Sequence, residues 1–254
     1  MSKERRTHGA AVPIDPERTR AFFEQRARGF RGDQPLTSVL YQDANPQVAA
    51  ARDAHEKALV LPQLQLHAGA RVLDIGCGIG RWADAALPHV ASYCGVDFSA
   101  GLIALARERC EDPRATFFVE SAENAPSVLA DGSPRFDRVV ISGVLIYLND
   151  AQVEKLIADL PRVLSPDSLI YIREPVGLVD RLTLNQFWSE ELKAEYSAIY
   201  RSRSELEAQV FAPLRQAGFG IVKEEPVYRD DNLNNRRETL QFYFLLQRGG
   251  AGAA

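Results

Sequence analysis

The amino-acid sequence predicts an α/β protein, a mostly parallel sheet with helices on both faces and a helical cap before it. Three observations carry this. From Arg71 onward, short β-rich apolar runs alternate with helical stretches, the pattern of crossover units in a parallel sheet. The first run ends in a glycine turn, Gly76-Cys-Gly-Ile-Gly80, that opens a helix. The last run alternates instead. Leu240, Phe242, Phe244 and Leu246 share one face, and Gln241, Tyr243 and Gln247 share the other, which suits an antiparallel closing strand.

The elements follow in order. Residues 1–13 are polar and basic without periodicity and read as a frayed arm, as do the small residues 249–254. Asp15 and Pro16 open a helix with Ala21, Phe22, Ala27 and Phe30 near one face. A second helix is expected over 47–60, ending near Pro62. Strands are expected at 71–75, 92–96, 115–119, 138–141 and 169–172. Helices between them run to about Leu87, from Ser99 (Leu102, Ile103, Ala106 and Cys110 on one face), and from near Asp150 (Val153, Leu156, Ile157 and Leu160). The alternation then breaks. Residues 176–202 show a stripe of Leu184, Trp188, Leu192, Tyr196 and Ile199 and read as a helical insertion without strands. Residues 204–216 read as a helix that Pro213 ends or kinks, and strands at 219–222 and 240–246 close the chain.

Composition narrows the function classes. Across 254 residues, 30 Lys and Arg stand against 34 Asp and Glu, a net charge of −4 with no global attraction to nucleic acid or acidic membrane. A basic bias in the first 31 residues reads as a solvated face or arm. Three cysteines (Cys77, Cys94, Cys110) are odd in number and widely spaced, so no disulfide framework is expected. The histidines, His8, His55, His67 and His89, are scattered, and no metal site is expected. No apolar run reaches the roughly 18 residues of a membrane helix, and the N-terminus lacks a signal-peptide block. The expectation is a cytoplasmic protein with a small-molecule partner, no nucleic acid and no membrane, self-association being open.

The glycine turn carries the most information. Glycines there let the backbone turn tightly and let a ligand approach without meeting a Cβ. A dinucleotide fingerprint needs a third small residue at position 81, but the chain has Arg81 there, its glycines falling at 76, 78 and 80. Asp97, which follows Gly76 by 21 positions, ends the second strand and can accept two hydrogen bonds from a ribose diol; its bland alternative is helix capping beside Ser99. Phe98 is placed to cover an adenine face.

Asp74-Ile-Gly-Cys-Gly-Ile-Gly80, with Gly95-Val-Asp97 and Phe136-Asp-Arg-Val-Val140, resembles the class I S-adenosylmethionine-dependent methyltransferases. The resemblance covers residues 71–174 and extends through the closing strands to about 247. It implies a Rossmann-like seven-stranded sheet whose last strand is antiparallel, with S-adenosyl-L-methionine as cofactor and S-adenosyl-L-homocysteine as product. It places Gly76, Gly78 and Gly80 at the methionine part, with Cys77 a small filler between them and Asp74 helping to hold that end. Asp97 and Phe98 would hold ribose and adenine, Ala122 and Glu123 would lie beside the adenine, and Ser142 and Gly143 under the sulfonium. On this reading residues 1–69 are an arm and helical cap, 70–175 and 203–247 the cofactor-binding core, and 176–202 a helical lid over the acceptor site.

What is missing narrows the subclass. After the fourth strand stands Ser142-Gly-Val-Leu-Ile-Tyr147, without the proline run of DNA amino-methyltransferases. No cysteine follows a proline, as cytosine C5 enzymes require, and Ser142-Gly143 and Arg173-Glu-Pro175 stand where metal-dependent relatives have an acidic residue and an Asp-Asn pair. The remainder is a metal-independent methyltransferase acting on nitrogen or oxygen of a small molecule by in-line displacement. The segment 40–46 with Arg52 and Asp53 resembles N-terminal regions of bacterial sugar and natural-product tailoring enzymes. Glu174 is the candidate base, with pairing to Arg173 as its bland alternative; Tyr147 and Tyr41 are candidates for the acceptor wall or for cofactor contact. An RNA-modifying methyltransferase and a non-catalytic cofactor-binding regulator are the competing readings.

Overall fold

The structure is a computed structural model describing residues 5–41, 44–130, 135–228, 233 and 236–249. Part of the expected arm and tail, and Gln42 and Asp43 of the 40–46 segment, lie outside the described residues.

Strand β1 (Arg6–His8) precedes helix α1 (Pro16–Arg28). The Asp15 side chain accepts from the Glu17 and Arg18 amides and Pro16 fills the first turn, so the helix starts where its cap and fixed φ demand. A short α2 (Thr37–Leu40) and α3 (Pro46–Val60) complete the cap. The core then runs β2 (Arg71–Ile75), α4 (Ala83–Ala86), β3 (Ser92–Asp97), α5 (Ala100–Arg109), β4 (Ala115–Val119), α6 (Ala125–Leu129), β5 (Phe136–Ser142), α7 (Asp150–Asp159) and β6 (Leu164–Gly177). The helix after the glycine turn ends near Leu87 as expected but begins only at Ala83, and a 3₁₀ turn over Leu87–His89 follows it.

Seven strands form one sheet in the order β4-β3-β2-β5-β6-β10-β9, where β9 is Phe219–Pro226 and β10 is Thr239–Arg248. The first five are mutually parallel, and β10 runs antiparallel to both neighbours, as its alternation predicted. Apolar side chains cover both faces. Val153, Leu156 and Ile157 of α7 join Val139 and Ile141 on one face, while Trp82, Ile103 and Tyr243 join Val72 and Val140 on the other. Because the strand order reverses between β2 and β5, their carboxyl ends open a crevice there.

Helix α8 (Arg203–Leu206) and helix α9 (Ala212–Gln216) are separated by a π turn over Glu207–Phe211. Pro213 cannot donate to the helical ladder, and the widened turn just before it takes up the irregularity.

Two expectations are corrected. Residues 176–202 are not a helical lid: β7 (Leu182–Ser189) and β8 (Ala194–Tyr200) form an antiparallel hairpin. A spacing of four is also twice the strand period, so the stripe fits either element, and Trp188, Tyr196 and Ile199 favour the strand. A register shift between Leu184 and Phe187, with Gln186 at φ 51°, then turns Trp188 outward. The arm is not wholly frayed either, because Arg6, Thr7 and His8 pair with Leu184, Thr183 and Leu182, so β1 completes a three-stranded sheet.

Trp188 is 47% exposed and donates only to Glu190 Oε1 at 2.8 Å. A Trp188→Ala variant is therefore expected to keep cofactor affinity within twofold and to change stability by less than about 1 kcal/mol, as urea unfolding and calorimetric titration will read. A larger loss in either would return Trp188 to the site.

Candidate active site

A cavity of about 440 Å³ opens over the carboxyl ends of the parallel strands, between the sheet and the cap. Its floor begins at the glycine turn. Gly76 lies at φ +75°, and a Cβ there would come within 2.3 Å of Val144, so this position admits only glycine. Asp97, 6% exposed, accepts from Gly78 N at 3.0 Å and Ser99 N at 2.9 Å. One carboxylate thus braces both the glycine turn and the start of α5. Burial raises its pKa to about 6 against the two amide bonds that favour the charge.

Helix α1 closes this end. Arg20 Nη1 donates to the Phe98 carbonyl at 2.6 Å with its guanidinium 5.3 Å from the Phe98 ring, and Phe23 meets that ring edge-on at 5.6 Å. Glu123 Oε1 accepts from Gln152 at 2.8 Å, whereas Glu123 Oε2 is buried with no partner among the described residues. An orphaned acceptor beside a cavity suits a ligand N–H, such as the exocyclic amine of an adenine. The donors and acceptors here fit an adenosine: a carboxylate for the diol, an aromatic ring, and an acceptor for the base.

The other wall is phenolic. Tyr41 and Tyr147 share a hydrogen bond between their hydroxyls, Tyr196 and Tyr200 stand 3.5 Å apart, and Arg236 donates to Tyr196. All five side chains line the cavity. Burial pushes the Tyr147 and Tyr196 hydroxyls well above the usual phenol range, so both remain protonated donors at neutral pH.

A buried polar cluster fixes the cap to the floor. Arg81 donates to Asp53 Oδ1 at 2.8 Å, Glu56 Oε2 at 2.9 Å and Ser142 Oγ at 2.7 Å. Glu56 also accepts from Ser142 Oγ at 2.8 Å, the Tyr171 hydroxyl at 2.7 Å and Arg173 Nε at 3.3 Å. Position 81, which sets the chain apart from dinucleotide binders, is thus the anchor of α3.

The cavity unites most of the residues singled out in the sequence: Gly76, Cys77, Gly78, Asp97, Phe98, Ala122, Glu123, Ser142, Gly143, Tyr41 and Tyr147 all line it. Three lie behind its wall. Gly80 sits 3.3 Å from Phe117, measured from the Cβ it lacks, so its smallness serves packing of the turn on the sheet. Asp74, 1% exposed, accepts from the Tyr93 hydroxyl. Glu174, 1% exposed, accepts from the Val144 and Leu145 amides at 2.8 Å and the Ile146 amide at 3.3 Å. That carboxylate shapes the turn carrying Tyr147 and does not face an acceptor. The sequence reading missed Arg52, Arg173, Tyr228 and Arg236 as cavity residues, and had Tyr196 and Tyr200 only as part of the insertion expected over the acceptor. For Arg52 and Arg173 there was a signal: arginines on a cap helix face and at a strand's carboxyl end.

Asp74 also yields a pH prediction. Burial raises its pKa to about 7 despite the Tyr93 hydrogen bond. A folded pKa above the unfolded value near 3.8 means that its contribution is complete below about pH 3.8 and is lost as pH rises through about 7. Asp74→Asn stays neutral, so its stability relative to the parent is expected to rise by a few kcal/mol between pH 4 and 7, at about 1.4 kcal/mol per pKa unit. Parallel pH-dependent slopes in urea unfolding would refute the assignment.

Sheet order, glycine turn and strand-end carboxylate together define the class I methyltransferase fold. Residues 72–167 match the family described as Methyltransferase domain, so that stretch reads as such a domain within a chain of the class I methyltransferase fold. Among curated relatives, phosphoethanolamine N-methyltransferase 1 of Triticum aestivum is 33% identical over 48% of this chain and 24% of its own length. Cyclopropane-fatty-acyl-phospholipid synthase of Escherichia coli is 31% identical over 55% of this chain and 34% of its own. The chain therefore spans about a quarter to a third of the length of these two relatives. A solved 1,6-didemethyltoxoflavin-N1-methyltransferase of Burkholderia thailandensis shares the fold, with TM-score 0.61 and 18% identity, over 96% of this chain and 95% of that one. Among the described residues, no helix is long and apolar enough to cross a membrane.

Proposed function

We propose that this chain transfers the methyl group of S-adenosyl-L-methionine to a nitrogen or oxygen of a small-molecule acceptor, a secondary metabolite or sugar, held against the tyrosine wall. The observation that carries the reading is a single cavity with adenosine-matching groups at one end and phenols at the other. When bound, the cofactor supplies a methyl group already activated on sulfur, so the protein's work is placement and exclusion of water. Asp97 holds the ribose diol, Phe98 and Glu123 the base, and Gly76 and Gly78 let the methionine end lie on the backbone. Ser142 and Gly143, at the end of β5, floor the space between cofactor and acceptor.

An in-line transfer would need the acceptor to present a lone pair to the methyl and then to lose any proton that atom carried. The protonated phenols of Tyr147 and Tyr196 are donors, suited to orienting an acceptor and unsuited to deprotonating it. The chamber therefore favours a nucleophile whose lone pair is already available, a neutral amine or an ionised oxygen. The Burkholderia neighbour, named for N1-methylation and solved with 1,6-didemethyltoxoflavin and S-adenosylhomocysteine, supports a reading of this kind.

Calorimetric titration with S-adenosylmethionine, S-adenosylhomocysteine and NADH is the direct test. The first two are expected to bind and NADH is not. Transfer of label from methyl-tritiated donor into a metabolite extract would then establish catalysis. Absence of binding by both sulfur ligands refutes the proposal, and binding without turnover across extracts leaves a regulator.

A further inference from the structure

The phenolic wall of the cavity holds a cation. Arg236 lies three residues before β10, whose first residue, Thr239, pairs with Gly177 at the carboxyl end of β6. Its guanidinium stands 5.8 Å from the centre of the Tyr196 ring and 5.9 Å from those of Phe187 and Tyr200, within reach of the attraction of all three ring faces. It donates to the Tyr196 hydroxyl and hydrogen-bonds Tyr200 as well. These two phenols supply the main attraction on its charge, and no carboxylate is ion-paired to it among the described residues. Glu238, two positions on, is paired with Arg6 and has His8 at 3.7 Å. Glu191, the lining acid at the turn of the same hairpin, acts on the charge of Arg52. A half-buried guanidinium matched by neutral phenols is incompletely compensated, and a ligand that brings negative charge would complete it.

The protons point the same way. A phenol oxygen that accepts from a guanidinium turns its own hydrogen elsewhere. The Tyr196 and Tyr200 hydroxyls are 3.5 Å apart, so at most one of their hydrogens is used between them. At least one hydroxyl, and the guanidinium N–H groups not spent on the phenols, are left to donate. Arg236, Tyr196 and Tyr200 all line the cavity, so these donors border the space that an acceptor enters. On the cofactor placement proposed above, the methionine end lies on the glycine turn after β2, and β5 and β6 separate that strand from β10. Three strand spacings are roughly 14 Å at about 4.8 Å each. The Arg236 cluster therefore belongs to the acceptor's part of the chamber.

We propose that Arg236, with the hydroxyls of Tyr196 and Tyr200, docks an anionic oxygen group of the methyl acceptor, a carboxylate or a phosphate, and so selects acidic small molecules. The proposal rests on the methyltransferase reading and names the acceptor class within it.

The test uses protein saturated with S-adenosylhomocysteine and titrated calorimetrically with inorganic phosphate, and separately with acetate, in a buffer free of other oxyanions. At least one anion is expected to bind the parent saturably at millimolar concentration, and the tighter of the two names the acidic group. Arg236→Gln should weaken that binding at least fivefold. Tyr196→Phe, which keeps the ring and removes the hydroxyl, should weaken it at least twofold. S-adenosylhomocysteine affinity should stay within twofold of the parent in both. Circular dichroism checks that each variant folds; if Arg236→Gln does not, Tyr196→Phe decides by its own threshold. Absence of saturable binding by both anions, or binding unchanged in Arg236→Gln, overturns the proposal. So does a tenfold loss of S-adenosylhomocysteine affinity in Arg236→Gln, which would place that side chain at the cofactor. Failure of every form to bind S-adenosylhomocysteine would instead remove the methyltransferase reading, and the acceptor dock with it.

Discussion

Replacing Glu56 by Ala is expected to lower stability by about 3–5 kcal/mol, the usual cost of leaving buried cations without their carboxylate. Glu56 is fully buried and accepts from Arg81, Ser142, Tyr171 and Arg173, so four donors lose their partner at once. Burial alone would raise its pKa, but Arg173 and Arg81 overcome that and hold the carboxyl well below its ordinary value. A depressed folded pKa contributes stability that is present above about pH 4.5 and lost as pH falls toward the folded value. The deficit of the variant should therefore be largest at neutral pH and shrink on acidification. Because Glu56 and Asp53 tie α3 to the floor, cofactor affinity should weaken as well. A stability loss under 1 kcal/mol at pH 7 would show that the cluster gives position without net stabilisation, an outcome known for buried ion pairs replaced together.

Asp97→Ala is expected to weaken S-adenosylmethionine binding by about two orders of magnitude. A hydrogen bond to a charged group contributes about 1.5–3 kcal/mol, and the diol makes two to one carboxylate, less than additively. The same substitution frees the Gly78 and Ser99 amides, so the turn under the ligand loosens too. In the parent, Asp97 titrates at about 6 without ligand because burial disfavours its charge. The diol prefers the ionised form. Affinity should thus climb as pH rises from 5 through 6 and level off above 7, and Asp97→Asn should flatten that profile. Affinity within twofold of the parent in Asp97→Ala would end the ribose assignment.

The sheet was legible because its signal is local. Residues 71–75 and 115–119 were bounded in the sequence as they stand in β2 and β4, and the alternation of 240–246 announced the antiparallel strand. The glycine turn and Asp97 were legible because spacing along one crossover unit fixes them. The phenolic wall was legible only in part, in Tyr41 and Tyr147 taken singly. Tyr41, Tyr147 and Tyr196 come from α2's end, the loop after β5 and a hairpin, and only tertiary packing makes them neighbours. Glu56 and Arg173 stand 117 positions apart, with no pattern to connect them. Glu174 misled for a related reason. The carboxyl end of a strand is where catalytic groups sit, yet its side chain turns back toward the amides of Val144, Leu145 and Ile146. The hairpin was misread because a spacing of four cannot separate the two periods.

The pairing of β1 with β7 also sets an order of events during synthesis. Arg6 finds its partner only when Leu184 has been made, so the first strand waits unpaired while most of the core emerges. The small β1–β7–β8 sheet can then close only after the five parallel strands, β2 to β6, have been made. Until it does, one edge of β7 offers open backbone groups to any passing strand. A tag or truncation reaching Arg6–His8 would prolong that interval, and its cost would appear first in the yield of soluble protein.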